Sequence, residues 1–142
     1  MGNEHALPEE LAKAIKIAQL EELVDTLPDG LDSFVAQGGS NYSGGQKQRI
    51  CIARALIKPA EIYVLDDSFS ALDYKTDAAL RAALHKQMSE KTLVIVAQRL
   101  STIQQADNII VLDEGKIVGQ GTHEELLSNC QTYQEFAKSQ GI

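Results

Sequence analysis

A serine followed by two glycines, Ser43-Gly44-Gly45, opens a helix-forming run that ends at Pro59 and gives way to a short apolar stretch, Ile62-Tyr-Val-Leu-Asp-Asp67. That succession restricts the chain more than any other feature. A hydroxyl and two residues without side chains at a helix start leave backbone N–H groups free, and the positive end of the helix dipole there favours an anion such as phosphate. An ordinary serine N-cap with adjoining glycines explains the same residues equally well. The run from Ile62 to Leu65 is too short for a helix and reads as a fully buried parallel strand. Asp66 then falls at the carboxyl edge of a sheet, where α/β folds place functional groups, although an Asp can also serve simply to turn the chain into the next helix.

The rest of the chain repeats this alternation. Residues 1–7 lack periodicity and read as a frayed start. From Pro8 a helical face is marked by Leu11, Ala14, Ile15 and Ala18, and a second short helix around Gln19–Leu27 is stopped by Pro28-Asp29-Gly30. Residues 31–40 read as loop. The helix from about Ser43 to Lys58 is expected to bury Ile50, Ala53 and Ile57, with Cys51 buried beside them. Asp73 suits an N-cap for a helix to about Met88, Leu93–Ala97 is the next strand, and a short helix starts at Ser101. Ile109–Leu112 turns through Asp113–Lys116 into Ile117-Val118 as a hairpin, though not by the most favoured loop type. Thr122 with Glu125 forms a capping box for another helix, and a last one carries Tyr133 and Phe136. Strands alternating with helices define an α/β fold.

Composition excludes several classes. The 142 residues carry a formal charge of −7 and no Lys/Arg stripe, which argues against non-specific nucleic-acid binding. No apolar run approaches the ~20 residues that span a bilayer. Cys51 and Cys130 lack zinc spacing and read as reduced thiols; His5, His85 and His123 are scattered and read as surface residues.

Four segments in order resemble the ATP-binding cassette (ABC) family. Tyr42-Ser-Gly-Gly-Gln46, with Lys47-Gln-Arg49 and Ala53-Arg54-Ala55-Leu56, is similar to its signature segment. Ile62–Asp66 resembles its Walker B strand, Ser70-Ala71-Leu72-Asp73 its D-loop, and Leu93–Ile103 its switch segment. The stretch Ala106–Lys116 with Gly121–Leu127 resembles exporter cassettes in particular. The resemblance implies the C-terminal part of a P-loop NTPase fold: a helical subdomain over 1–58 ending in the signature helix, then part of the α/β ATPase core over 59–142. It implies ATP and Mg²⁺ as cofactors, a second nucleotide-binding domain and a transmembrane domain as partners, and a place on the cytoplasmic face of a membrane. In that family, Ser43, Gly44, Gly45 and Gln46 would serve a nucleotide held by the partner cassette, and Asp66 would hold Mg²⁺ through water.

Two positions depart from the family. Asp67 stands where the family usually has Glu to orient the attacking water; a carboxylate displaced by about 1 Å can lose on the order of a hundredfold in rate. Gln98 stands where it usually has His, and Gln cannot take up a positive charge. Together they imply a degenerate site on this chain and a competent one on its partner. No G-x-x-x-x-G-K-[ST] occurs in the 142 residues, so the chain by itself is expected to be inactive and, with the strand of that motif absent, prone to self-association. The alternative readings are a non-catalytic interaction module or a soluble ABC protein without a transport role.

Overall fold

Local signals decide where the elements begin. The computed structural model describes residues 2–3 and 5–142, so the frayed start expected at 1–7 falls partly outside the described residues. Pro8 occupies the first turn of α1 (Pro8–Ile17), whose entry is closed by the Leu7 N–H donating to Glu10 Oε2 at 2.8 Å. α2 covers Glu21–Thr26, and the expected loop at 31–40 is tightened by 3-10 turns at Gly30–Asp32 and Gln37–Gly39. Ser43 caps α3 (Gly44–Leu56): its hydroxyl accepts from the Gln46 N–H while Gln46 Oε1 accepts from the Ser43 N–H. The element order continues β1 (Ile62–Asp66), α4 (Tyr74–Gln87), β2 (Thr92–Val96), α5 (Leu100–Ile103), β3 (Ile109–Asp113), β4 (Lys116–Gly121), α6 (His123–Asn129) and α7 (Gln131–Ser139).

The chain divides after Val96 into two compact units. In the first, β1 and β2 pair in parallel with Val64 opposite Val94 and Asp66 opposite Val96. Leu65 joins Ile17, Ile52, Phe69, Leu72, Leu80 and Leu84 in one core, while Ala14, Ala18, Leu20 and Ala53 form a second between α1 and α3. The strand at 62–65 is not fully buried as expected. Its inward face is covered, but Ile62 and Val64 are 60% and 63% exposed and Val94 and Val96 share that open face. Among the described residues of this unit, helices cover one side of the ladder only. In α3, Ala53 is buried as expected, but its buried neighbour is Ile52; Ile50 and Ile57 are half-buried, and Cys51 points outward. Cys51 lies about 100° from Ile52 on the side away from Ala53, outside the sector that these two residues bury.

In the second unit β3 and β4 form an antiparallel hairpin with Asp113 opposite Lys116. Its two loop residues, Glu114 (φ 46°) and Gly115 (φ 75°), both adopt the left-handed region that a type I′ turn requires. Leu100, Ile109, Val111, Leu126, Cys130, Tyr133 and Ala137 make the core of this unit. Tyr133 is buried, which raises its phenol above the ordinary value. His123 is half-buried rather than a free surface residue, its Nδ1 2.7 Å from the Tyr133 hydroxyl. Phe136 stays exposed, and no described helix is long and apolar enough to cross a membrane.

The cap of α4 makes a pH prediction. Asp73 accepts from the Thr76 N–H (2.9 Å) and hydroxyl (2.7 Å), and these bonds lower its carboxyl below the ordinary 3.8. A depressed carboxyl stabilises the fold above its unfolded pKa and loses that contribution as pH falls through the folded value. Asp73→Ser should keep a cap but flatten this acid limb in thermal unfolding followed from pH 5 to pH 2; an unchanged limb would show that the cap does not titrate.

Candidate functional site

Two backbone turns meet at the N-terminal end of α3. One is the helix entry itself, where the first-turn amides of Gly44 and Gly45 have no intrahelical acceptor. The other is the turn that follows β1, running from Asp67 through Ser70 to the cap Asp73. Ser43, Gly44, Gly45, Gln46 and Arg49 face Ala71, Leu72, Asp73 and Thr76 across an open hollow of about 270 Å³. The approach is close enough to crowd a side chain at Gly45. A Cβ on Gly45 would lie 3.0 Å from the Ala71 carbonyl oxygen, and one on Gly44 would lie 3.4 Å from the Ala71 methyl. Neither glycine has a left-handed backbone, so proximity, not conformation, is what Gly45 answers to.

The electrostatics of the hollow are mixed. Arg49 reaches past it to donate from its guanidinium to the Gln19 carbonyl, tying α3 to the end of α1, while its buried Nε has no hydrogen-bond partner. The N-terminus of α3 and Arg49 present positive potential, and the ionised Asp73 on the opposite rim presents negative. The first side suits an anion: the amides of the α3 entry and the Ser43 hydroxyl are donors at the positive end of the helix dipole.

Asp66 and Asp67 sit together at the carboxyl end of β1, both exposed. Asp67 takes φ 46°, a left-handed conformation that Asp tolerates better than most residues. Its backbone is held from both sides: the N–H donates to the Val96 carbonyl at 3.0 Å and the carbonyl accepts from Gln48 Nε2 at 3.0 Å. Its carboxylate accepts from the Ser70 hydroxyl at 3.0 Å. No cluster of three or more metal-ligating side chains exists among the described residues. Two exposed carboxylates, Asp66 and Asp67, are the acidic groups at this strand end, a number compatible with a cation that keeps most of its water.

Ser43–Gln46 and Ala71–Asp73, the segments expected to act as signature and D-loop, are thus brought together, with Ser70 linking that turn to Asp67. Gln98 is the second residue of the second unit, exposed, with its carbonyl accepting from Gln140 Nε2 at 2.9 Å. Gln48, which lies inside the Lys47-Gln-Arg49 run and makes three of the bonds in this region, is the residue that sequence reasoning missed. No periodicity or motif singles it out; only its tertiary neighbours do.

Comparison with known proteins places this geometry. The model of the ABC transporter family matches residues 3–70. An ABC transporter ATP-binding protein of Mycobacterium bovis is 52% identical over 134 residues, covering 94% of this chain and 23% of its own length. The ATP-dependent lipid A-core flippase of Vibrio cholerae is 41% identical over 132 residues, covering 93% of this chain and 23% of that protein. A bacterial Atm1-family ABC exporter, solved with ATP bound, superposes with a TM-score of 0.94 at 37% identity, over 99% of this chain and 25% of that one. The fold is therefore that of an ABC-type P-loop NTPase domain. The chain belongs to the ABC transporter family, on its exporter branch, and spans about a quarter of the length of the curated relatives it matches.

The close approach at Gly45 is directly testable. Gly45→Ala should destabilise the chain by about 1–3 kcal/mol through overpacking against the Ala71 carbonyl, whereas Gly44→Ala should fall within ~0.5 kcal/mol of the parent, as a substitution with room does. Urea unfolding of the two variants measures the difference; equal costs would remove the steric argument.

Proposed function

We propose that this chain acts as part of the nucleotide-binding domain of an exporter, coupling ATP binding and hydrolysis to movement of a substrate across a membrane. The observation that supports this most is the shared hollow: the entry of α3 and the turn after β1 present donors suited to phosphate over the same few residues. In this reading residues 1–58 act as the helical subdomain and 59–142 as part of the ATPase core. Ser43, Gly44, Gly45 and Gln46 engage the γ-phosphate of a nucleotide held by a second cassette, and Ala71, Leu72 and Asp73 line the same contact. The names of the relatives, an ATP-dependent flippase and an exporter with ATP bound, are in keeping with ATP and Mg²⁺ as cofactors, a second nucleotide-binding domain and a transmembrane domain as partners, and work at the cytoplasmic face of a membrane.

On the chain's own side, Asp66 would hold Mg²⁺ through water, and the bound cation would neutralise charge on the β- and γ-phosphates. Asp67 orients water with a side chain one methylene shorter than Glu, anchored by Ser70. Gln98 offers a neutral amide where an imidazole would carry a proton. The site so built hydrolyses weakly, while the signature donated to the partner remains intact.

A second reading is a non-catalytic module that only donates the Ser43–Gln46 helix entry to a partner, which its place on an open hollow would allow. Calorimetry of the isolated chain with Mg-ATP separates the two, since titratable binding eliminates the module reading. The open apolar stripe of Ile62, Val64, Val94 and Val96 supports self-association of the isolated chain, and a stable dilute monomer by size exclusion with light scattering would count against it.

The decisive experiment is reversion. In the intact transporter, Asp67→Glu with Gln98→His should raise ATP turnover by roughly tenfold to a hundredfold, the range a carboxylate displaced by about 1 Å can cost. Unchanged turnover and nucleotide occupancy would sink the degenerate-site reading.

A further inference from the structure

We propose that Gln48 is a positioning residue that locks the carboxylate turn after β1 to the signature helix. Its amide spans the gap between α3 and residues roughly twenty positions further along the chain. Nε2 donates to the Asp67 carbonyl at 3.0 Å and to the Ser70 hydroxyl oxygen at 2.9 Å, and Oε1 accepts from the Ala71 N–H at 3.0 Å. Both N–H donors of the amide and one acceptor site of its oxygen are spent on this one turn.

The consequence lies in the direction of the Ser70 proton. Because the Ser70 oxygen accepts from Gln48, its single hydrogen is left to donate to Asp67, whose carbonyl lies at 3.1 Å and whose Oδ2 lies at 3.0 Å. Gln48 therefore acts on the Asp67 carboxylate through Ser70, and on the Asp67 backbone directly. That backbone needs holding. At φ 46° Asp67 is in a less populated backbone region that its surroundings must favour over the alternatives, even for an Asp. The Gln48 amide and the Val96 carbonyl supply that preference from opposite sides.

Gln48 is well placed to couple, because it stands on the same helix whose first turn faces the hollow yet does not itself line it. A displacement of α3 on engaging a phosphate would be delivered through this side chain to Asp67 and to the 70–73 turn. The role rests on the reading of Asp67 as the residue that orients water, and the test separates the two claims.

Three variants carry the test in the intact transporter with the partner cassette's own catalytic carboxylate removed, so that steady-state ATP turnover reports the site holding Asp67; amide hydrogen exchange at Ala71 is the second readout. Gln48→Leu should lose Ala71 protection and lower kcat about tenfold, less than a full 1 Å misplacement costs, with KM for ATP within twofold of the parent. Gln48→Glu keeps an acceptor for Ala71 but has no donor, and draws the Ser70 proton toward itself. It should therefore restore Ala71 protection while leaving kcat low. Asp67→Asn is the reference for the underlying reading. If Asp67→Asn leaves kcat unchanged, that reading fails and the positioning role falls with it. If Asp67→Asn lowers kcat but Gln48→Leu does not, only the Gln48 proposal is overturned. A rise in KM matching the fall in kcat for Gln48→Leu would likewise overturn it, since that marks loss of nucleotide engagement by α3 in place of misorientation.

Discussion

The contact between α3 and the turn that follows β1 is the interaction on which the rest of the first unit depends. It is made three ways at once: the Gly45 backbone passes close to the Ala71 carbonyl, the Gln48 amide bonds to residues 67, 70 and 71, and Ile52 packs among Leu65, Phe69 and Leu72. Apolar burial supplies the bulk of the attraction and the polar bonds fix the register. A buried apolar face alone would let the helix slide by a fraction of a turn. The amide bonds and the glycine contact do not.

From that contact the chemistry of the site follows. Holding the helix entry against the turn places donors suited to phosphate on one rim and the ionised Asp73 on the other, with Asp66 and Asp67 at the nearby strand end. The exporter relatives share this stretch of sequence over nearly the whole chain, so the arrangement belongs to a family whose members are several times longer. The open face of the β1–β2 ladder is the part of the structure least satisfied by its own chain. β-Branched residues at 62, 64, 94 and 96 suit a packed sheet surface, yet here they meet solvent.

Much of the fold was legible in the sequence because its signals are local. Ser43, Asp73 and Thr122 were read as helix starts, and each accepts the backbone bond that a cap requires. The strands at 62–66, 92–96 and 109–113 followed from short apolar runs. Burial was less legible. An all-apolar run implied a strand covered on both faces, but covering depends on what packs there, and Ile62 and Val64 are bare. Cys51 was misplaced because it lies about 100° from both Ile50 and Ile52, outside the sector through Ile52 and Ala53 that packs.

The sequence by itself determined the family, the alternation of strands and helices, and the caps, since each is written in contiguous residues. Tertiary structure alone decided that Gly45 must be small, that Asp67 is held in a left-handed turn and that Gln48 binds it. Those facts join residues roughly twenty or more positions apart, and no pattern along the chain encodes which distant carbonyl a side chain will meet. The Ser43-Gly44-Gly45 segment is the clearest case: its chemistry was visible as a helix entry, but the reason for its second glycine was a backbone oxygen supplied by Ala71.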